Sequence, residues 1–345
     1  MERLSGHIAT KGVSAVSPLV VALCALFSAR GAPVVAESED RIETYERTLE
    51  GRIVGLTRAG LSVREGARLI QVPSADIKAF AWSKDLLVRE AEAAFRQRRW
   101  TVAEQKLLHV ARVRGVAWLR ARLLAERRFC LQMLGRREEA AKVLAEIVAD
   151  APEAFLEGGV ALPADSLSAK EDLAALKAGA GRARGDAFVT QAVRTMLLCQ
   201  LGDVKSARAL RSDMAADANP SRKTLIAVVT ARIALAQEKP GAALDALAEM
   251  EISAPPALRG QVHFWHATAL ERSARTDEAL FAYLKVGLLY PERWSLAPEA
   301  LTRACVIAKA AGRPTEAETL RTILVKEFPF SRQATAVTAS RREQP

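Results

Sequence analysis

The sequence predicts a mainly α-helical protein, a right-handed α-solenoid of about six helical hairpins preceded by a small antiparallel β module. Small residues and prolines return at regular intervals between about residue 83 and residue 335, which indicates repeated helix pairs. A short segment before them alternates apolar and polar residues with period two, which indicates strands. Half of the 345 residues are hydrophobic but only 5% are aromatic, so many small helix contacts are expected in place of one large aromatic-lined cavity.

The first 36 residues have the features of an export signal. Arg3 and Lys11 precede the apolar run PLVVALCALF, and small residues follow it, so we expect cleavage after Gly31 or Ala36. The run is shorter than the roughly 20 apolar residues of a membrane-spanning helix, and an anchor that stays on the protein is the alternative interpretation. Cleavage predicts an exported protein, periplasmic, held in the cell envelope or secreted, with no membrane span left.

Residues 41–82 carry the period-two alternation and predict three or four short antiparallel strands. The apolar positions are Leu49, Gly51, Ile53, Leu61, Val63, Ile70 and Val72. Because a small sheet alone is only marginally stable, we expect it to pack against the first helices, with Trp82 or Trp100 near the seam. The pattern resembles small Sm-like or Tudor-like barrels. Two roles stay open for this module, an adapter that docks a partner and a cap on the helical array.

A small anchor residue recurs in the helical part of the chain. The anchors are Ala103, Ala140, Ala207, Ala243, Ala279 and Ala317. Successive anchors are 36 to 38 residues apart, except for one gap of 67 residues. A side chain of one methyl group allows two helices to approach closely while larger neighbours fill the grooves. Proline stands 12 or 13 residues after most anchors, and since proline cannot continue a helix, it is expected to end each hairpin.

The stretch FCLQMLGRREEAAKVLAEIVADAP, residues 129–152, carries the whole pattern of turn glycine, small anchor and closing proline. This resembles the tetratricopeptide repeat (TPR) family, whose period is 34 residues. The resemblance implies repeats 1 and 2 in residues 83–152 and repeats 3 to 6 in residues 188–335. The family's glycine early in the first helix is replaced in all six copies, by Ala91, Arg128, Thr195, Ala231, Ala267 and Cys305. Arg128 is the replacement that would not permit close packing at that point.

Two segments lie outside the regular copies. Residues 153–187 are predicted to be an insertion or linker with one short helix, which Ser168 and Glu171 would start as a capping box. The glycine-rich, basic end of this segment is expected to be flexible. Residues 336–345 are predicted to be a disordered tail.

Groups that could carry chemistry are few. The sequence has no phosphate loop, no zinc-protease motif and no nucleophile elbow. His263 and His266 are three residues apart on one predicted helix, but no third metal ligand is spaced nearby. Three cysteines follow the signal, and this odd number argues against a disulfide framework. We therefore predict a protein that is not an enzyme, with no catalytic residue, no metal, no cofactor and no small-molecule substrate.

The resemblance to the repeat family places a partner in the concave groove lined by the first helix of each repeat. Carrying its frame onto this sequence gives seven contact residues: Phe95, Phe129, Met196, Arg232, Phe264, Glu271 and Lys309. Other positions of the same frame are Val88, Glu92, Ala125, Gln132, Val189, Ala192, Val228, Leu235, Thr268, Thr302 and Val306. We expect about half of these side chains to be exposed. The Lys and Asn pattern with which some family members clamp a terminal carboxylate is absent.

The leading hypothesis is an exported, non-enzymatic scaffold that binds a protein or an extended peptide in this groove. The motif KEFPFSRQA resembles the repeat ends of bacterial envelope proteins that serve outer-membrane assembly or cell-division complexes. The net charge of +10 is modest and spread among acids along the helices. The alternative is a polyanion binder, for nucleic acid or acidic polysaccharide, that uses the Arg-rich helices of residues 96–137 and the loop at 182–184. An enzyme would need an unrecognised site in the β module.

Overall fold

The computed structural model describes a mainly helical chain with a small antiparallel sheet at its N-terminal end. It describes residues 40–44, 46–57, 60–73, 76–81, 86–110, 117–150, 152, 166–179, 187–214, 219–290, 296–329 and 331–342. No helix in these residues is long and apolar enough to cross a membrane. The predicted export signal and the loop at 182–184 lie outside the described residues.

Five strands form the sheet. They are β1 Asp40–Thr44, β2 Thr48–Thr57, β3 Gly60–Glu65, β4 Arg68–Pro73 and β5 Ile77–Ala81. All pairings are antiparallel, and the order across the sheet is β4-β3-β2-β1-β5. The predicted alternation is confirmed in the middle of the module, because Leu49, Ile53, Leu61, Val63 and Val72 are all buried. The sequence indicated three or four strands, and the short β1 and β5 are the ones that its alternation did not mark.

Two local features stabilise the register of the sheet. Gly66 has a φ of 58° in the turn between β3 and β4, the left-handed conformation that a two-residue hairpin turn requires. The buried Asp40 accepts a hydrogen bond from the backbone N–H of Ile53 at 2.6 Å. That bond lies beside the irregularity between Ile53 and Gly55, where the pairing of β2 with β3 shifts.

The helices follow the sheet and are mostly arranged in pairs. They are α1 Leu86–Arg96, α2 Trp100–Val110, α3 Ala117–Met133, α4 Arg137–Asp150, α5 Ser166–Gly179, α6 Ala187–Gln200, α7 Val204–Ser212, α8 Pro220–Ala236, α9 Pro240–Leu247, α10 Met250–Ser253, α11 Pro256–Arg272, α12 Thr276–Leu289, α13 Ala297–Ala310, α14 Pro314–Glu327 and α15 Arg332–Arg342. The packed pairs are α1 with α2, α3 with α4, α6 with α7, α8 with α9, α11 with α12 and α13 with α14. Neighbouring pairs also contact each other, and α5 lies between the second and third pairs.

The same type of turn joins the two helices in each of the six pairs. Three residues join the two helices of each pair, and the middle residue has a positive φ, between 57° and 78°. The middle residues are Arg98, Gly135, Gly202, Glu238, Ala274 and Gly312. In each turn the next residue donates its backbone N–H to the carbonyl five residues earlier, at 2.9 to 3.0 Å. This is the Schellman arrangement, which satisfies carbonyls that a helix end would otherwise leave without a partner.

The anchor alanines lie at one structural position. Each is the fourth residue of the second helix of its pair and stands five residues after the left-handed turn residue. All six are buried, with exposures between 0% and 6%. Their burial confirms that the recurring alanine marks a packed helix position. Small side chains there permit close approach of the helix that crosses it.

Two hydrophobic clusters of described residues connect the elements from the sheet to α11. The first joins apolar residues of the sheet to residues of α1, α2 and α3, and Trp100 lies within it. The prediction that the sheet packs against the first helices is thereby confirmed. The second cluster begins on α3 and runs through successive helices as far as α11. Since α3 contributes to both clusters, it connects the sheet end of the molecule to the later pairs.

The structure differs from the sequence expectations at three segment ends. Ser168 lies inside α5, which begins at Ser166, so the predicted capping box does not start that helix. Pro220 begins α8 and does not end a hairpin, since proline is well tolerated in a first helical turn. Residues 336–342 continue α15 where a disordered tail was expected. The buried Ala334 and the bond from Gln333 to Glu299 at 2.9 Å attach α15 to α13.

Arg98 connects the first helix pair to the sixth. From the α1–α2 turn, its guanidinium donates to the backbone carbonyl of Lys326 at 3.2 Å and to that of Glu327. Both carbonyls belong to the last turn of α14, where a cation is favourable because the helix dipole is negative there.

We expect Ala274→Gly to stabilise the protein and Gly202→Ala to destabilise it. Both residues are exposed turn residues with positive φ, and a Cβ at Gly202 would meet no atom within 4 Å, so conformational strain is what changes. The left-handed conformation costs a residue other than glycine roughly 1 to 2 kcal/mol, partly offset by the flexibility of glycine in the unfolded chain. Urea unfolding should therefore show a gain of about 0.5 to 1 kcal/mol for Ala274→Gly and a loss of about 1 kcal/mol for Gly202→Ala. Equal effects of the same sign would contradict the shared turn.

Candidate functional site

The seven predicted contact residues all lie on the first helices of the pairs, but few are exposed. Phe95, Met196, Arg232 and Phe264 are buried, Phe129 and Glu271 are partly exposed, and Lys309 is exposed. Among the other positions of the same frame, only Val306 is exposed. The exposed fraction is thus well below the expected half. Most of this helical stripe packs against neighbouring helices.

Three aromatic side chains meet at the first two pairs. The rings of Phe95, Trp100 and Phe129 lie edge to face, with centroids 5.4 to 5.7 Å apart. Such pairs attract because the positive edge of one ring faces the negative face of the other. The structure therefore brings two of the predicted contact residues together around Trp100, as part of the core that also includes the sheet.

A partly buried cluster of charged side chains lies on the same two first helices. Arg96 donates to Glu92 at 3.3 Å on α1, and Arg122 donates to Glu126 at 3.3 Å on α3. One oxygen of each carboxylate, Oε1 of Glu92 and Oε2 of Glu126, is buried with no hydrogen-bond partner among the described residues. Burial, helped by the negative charge of Glu126, raises the pKa of Glu92 to about 7. Burial also raises the pKa of Glu126, although the two arginines oppose it. Both carboxyl groups therefore hold a proton more readily than an exposed glutamate does.

Arg232 lies at the centre of the third, fourth and fifth pairs. Its guanidinium stacks on the ring of Trp265, with Cζ 4.4 Å from the ring centroid, and its Nη2 donates to Oε1 of Gln200 at 3.3 Å. The three side chains come from α8, α11 and α6 respectively. Burial lowers the pKa of Arg232 to about 10, so the side chain still carries its positive charge at neutral pH.

A hydrogen-bonded group continues from this point along α11. Phe264 contacts both Trp265 and Tyr283 edge to face, at 5.2 and 5.8 Å between ring centroids. The hydroxyl of Tyr283 donates to Glu271 at 2.7 Å, and Arg303 approaches the other oxygen of Glu271 at 3.5 Å. Burial raises the pKa of Tyr283, so its hydroxyl keeps its proton as a donor. Arg232, Phe264 and Glu271, all predicted contact residues, therefore belong to one continuous set of contacts.

The arginines of residues 96–137 are largely occupied by acids of the same chain. Arg120 reaches Glu146 and Asp150, Arg127 and Arg136 share Glu104, and Arg128 pairs with Asp172. The last of these pairs is 2.7 Å long and almost fully buried. Charges that are paired in this way contribute little to an attractive field for a polyanion.

Among the described residues, no three or more His, Cys, Asp or Glu side chains lie close enough together to hold a metal ion. His266 lies with Nδ1 2.9 Å from Oε1 of Glu251, and Nδ1 of His263 is 3.8 Å from the same oxygen. Burial lowers the pKa of both histidines. Cys130, Cys199 and Cys305 are free thiols, and burial raises the pKa of Cys130 and Cys199, which makes thiolates unfavourable there.

The sequence frame found Arg232 but missed its neighbours. Trp265 and Gln200 stand outside the helical stripe that the repeat family predicts, and Tyr283 lies on a second helix. One signal was available for Arg232 itself, since it is the only charged residue between Lys223 and Glu238. A lone charge in an apolar helix indicates a buried site with a specific partner.

We expect Glu92→Gln to raise stability above pH 7 and to flatten its pH dependence. A carboxyl whose pKa rises from 4.5 to about 7 on folding favours the folded state most below pH 4.5, and that contribution is lost as the pH rises to about 7. Glutamine cannot ionise, so the variant should be more stable than the wild type at pH 8 by about 2 to 3 kcal/mol, with little difference at pH 4.5.

Thermal unfolding of both proteins between pH 4.5 and pH 8 measures this difference. Glu104→Gln is the matched control, because Glu104 is equally buried but bridges Arg127 and Arg136, so its loss should destabilise the protein. If the difference in stability between the wild type and Glu92→Gln were the same at every pH in this range, the raised pKa of Glu92 would be contradicted.

No protein-family model matches the chain, and a search of the curated proteins finds no similar sequence.

Proposed function

We propose that this protein is an exported, non-enzymatic TPR-like scaffold, a right-handed solenoid of about six hairpins that binds a protein or an extended peptide along its first helices. Its place of action would be the periplasm or cell envelope, in the assembly of an envelope complex. The observation that carries the proposal is the turn shared by the six helix pairs, with a buried alanine at the same offset after each. Repeated pairs of one geometry present their first helices side by side, and such arrays serve as extended binding surfaces.

The exposed part of the proposed surface is clearest on α13. Val306 is 59% exposed, Lys309 is also exposed, and Thr302 is partly exposed one turn earlier. These three positions follow one another at intervals of three and four residues, so they lie on one face of the helix. In the earlier pairs the same stripe is more buried, and the partner would contact its partly exposed members, such as Phe129, Thr268 and Glu271.

The polyanion alternative has less support. Its arginines are mostly paired with Glu104, Glu126, Glu146, Asp150 and Asp172, so the helices of residues 96–137 carry little free positive charge. The loop at 182–184 lies outside the described residues. A protein or peptide partner therefore remains the proposal that the contacts favour.

Site-specific crosslinking tests the position of the partner. We expect a photo-reactive benzoylphenylalanine at Val306 or Lys309 to crosslink to one defined partner in envelope extract. The same group at Phe281 or Leu289, which are exposed on the second helix α12, should give no such product. All four sites are on the surface, so the insertions should not disturb folding. Crosslinks of equal yield from both helices, or from α12 alone, would contradict binding along the first helices.

A second measurement separates the two classes of partner. We expect no binding to heparin or to a single-stranded oligonucleotide at low ionic strength, because most arginines of residues 96–137 that the structure describes are paired with acids. Fluorescence anisotropy with labelled probes measures this directly. Binding that weakens steeply as salt is added would favour the polyanion alternative, since it would show release of counterions.

A further inference from the structure

Arg232 differs from the other buried arginine of the described chain in having no acid beside it. Arg128 is equally buried and is matched by Asp172 at 2.7 Å. Arg232 is only 6% exposed, yet no Asp or Glu forms an ion pair with it in the described chain. Within the described residues, its guanidinium donates one hydrogen bond, to a neutral amide oxygen, and stacks on the face of an aromatic ring. Burying a charge without a counter-ion is unfavourable, so this arginine is a site where an anion would be stabilised.

The guanidinium of Arg232 also has N–H groups that donate to no acceptor in the described residues. Among the described residues, Nη2 alone of its nitrogens donates to a protein acceptor, which is Oε1 of Gln200. Nε and Nη1 have no acceptor in the described residues, and neither is sealed from solvent, in contrast to the enclosed Nε of Arg128 and of Arg194. Free N–H groups on a planar guanidinium match two oxygens of a carboxylate.

The ring of Trp265 stacks on the guanidinium and restricts its orientation. The ring lies 4.4 Å from Arg232 Cζ and is itself fixed by its edge-to-face contact with Phe264 at 5.2 Å. A stacked guanidinium keeps its plane and therefore the direction of its N–H groups. Little side-chain entropy remains to be lost when an anion binds, which favours binding.

We propose that Arg232, Gln200 and Trp265 form a subsite for the carboxylate of an acidic side chain, Asp or Glu, within an extended partner peptide. The subsite rests on the proposed function, because it names the chemistry of the partner at one point of the first-helix surface. One guanidinium beside a neutral amide balances a single negative charge, which fits a carboxylate better than the dianionic phosphate of a phosphopeptide. Arg232 belongs to the fourth of the six helix pairs, so a side chain in the middle of the peptide is the expected occupant.

Peptide pools that differ in one group test the subsite. The probes are N-acetylated, C-amidated octapeptides with Glu or Gln fixed at the fourth position and all other positions randomised without acidic residues. We expect the Glu pool to bind the wild-type protein about 10-fold or more tightly than the Gln pool, as for a charge-assisted hydrogen bond. Equal binding of the two pools would overturn the subsite and leave the proposed function standing. Failure of both pools to bind would remove the peptide-binding function, and the subsite with it.

Variants assign the preference to Arg232. Arg232→Met should abolish the difference between the pools, because it keeps an apolar side chain of similar length and removes the charge. The matched control is Arg211→Gln. Arg211 lies on the second helix α7 and donates to the hydroxyl of Thr230 on α8 at 3.1 Å, so its replacement should keep the preference for the Glu pool. A preference that survives in Arg232→Met would overturn the proposal.

If Arg232→Met does not fold, nuclear magnetic resonance of the wild-type protein tests the subsite directly, through the Nε–H signal of Arg232. We expect the Arg232 Nε–H signal, assigned with Arg232→Lys, to shift on addition of the Glu pool and to stay in place with the Gln pool. A Gln pool with a free C-terminal carboxylate is the third arm. If only that pool shifted the signal, the occupant would be a chain terminus and the proposed side-chain subsite would be wrong. A signal that no pool shifts would likewise overturn it.

Discussion

The left-handed turn between paired helices is the constraint on which the helical part of the structure depends. It reverses the chain within three residues, and its hydrogen bonds satisfy the last carbonyls of the first helix. The second helix begins two residues after the left-handed residue, and the small anchor side chain is buried five residues after it. Because the turn fixes the offset, alanine at one position per pair suffices to let all pairs pack alike. A larger side chain there would separate the two helices of its pair.

The anchors could be predicted from the sequence, whereas the left-handed conformation in half of the turns could not. Glycine stands at three of the left-handed positions, but Arg98, Glu238 and Ala274 occupy the same conformation with no sequence signal. The strands with clear alternation, β2 to β4, were also predictable. β1 and β5 were not, since Asp40 is buried for its hydrogen bond and five-residue strands are too short to show a period.

The candidate site shows why spacing alone cannot separate a lining residue from a core residue. Met196 of α6 and Val228 of α8 stand on the predicted stripe, but α8 packs against both α6 and α11, so the stripe is partly an internal surface there. Charges were harder still. Arg96 and Arg122 pair with acids four residues away, which periodicity can suggest, but Arg128 and Asp172 are 44 residues apart and meet only because α5 packs between two helix pairs.

The first and the sixth helix pairs are covered by different parts of the chain. At the first pair the sheet supplies an apolar face for α1, α2 and α3, so burial itself favours a capping role for the β module over a purely adapter role. At the sixth pair, α15 packs on α13, and Arg98 reaches the carbonyls at the end of α14. Charged groups at both ends thus find partners within the chain. Arg232, in the middle of the array, is a buried charge that stacks on Trp265 and has no acidic partner in the part of the chain that the structure describes. Asp172 neutralises the other buried arginine, Arg128, whereas Arg232 stays positive and oriented. Burial of this unpaired charge costs free energy, which a bound anion would recover.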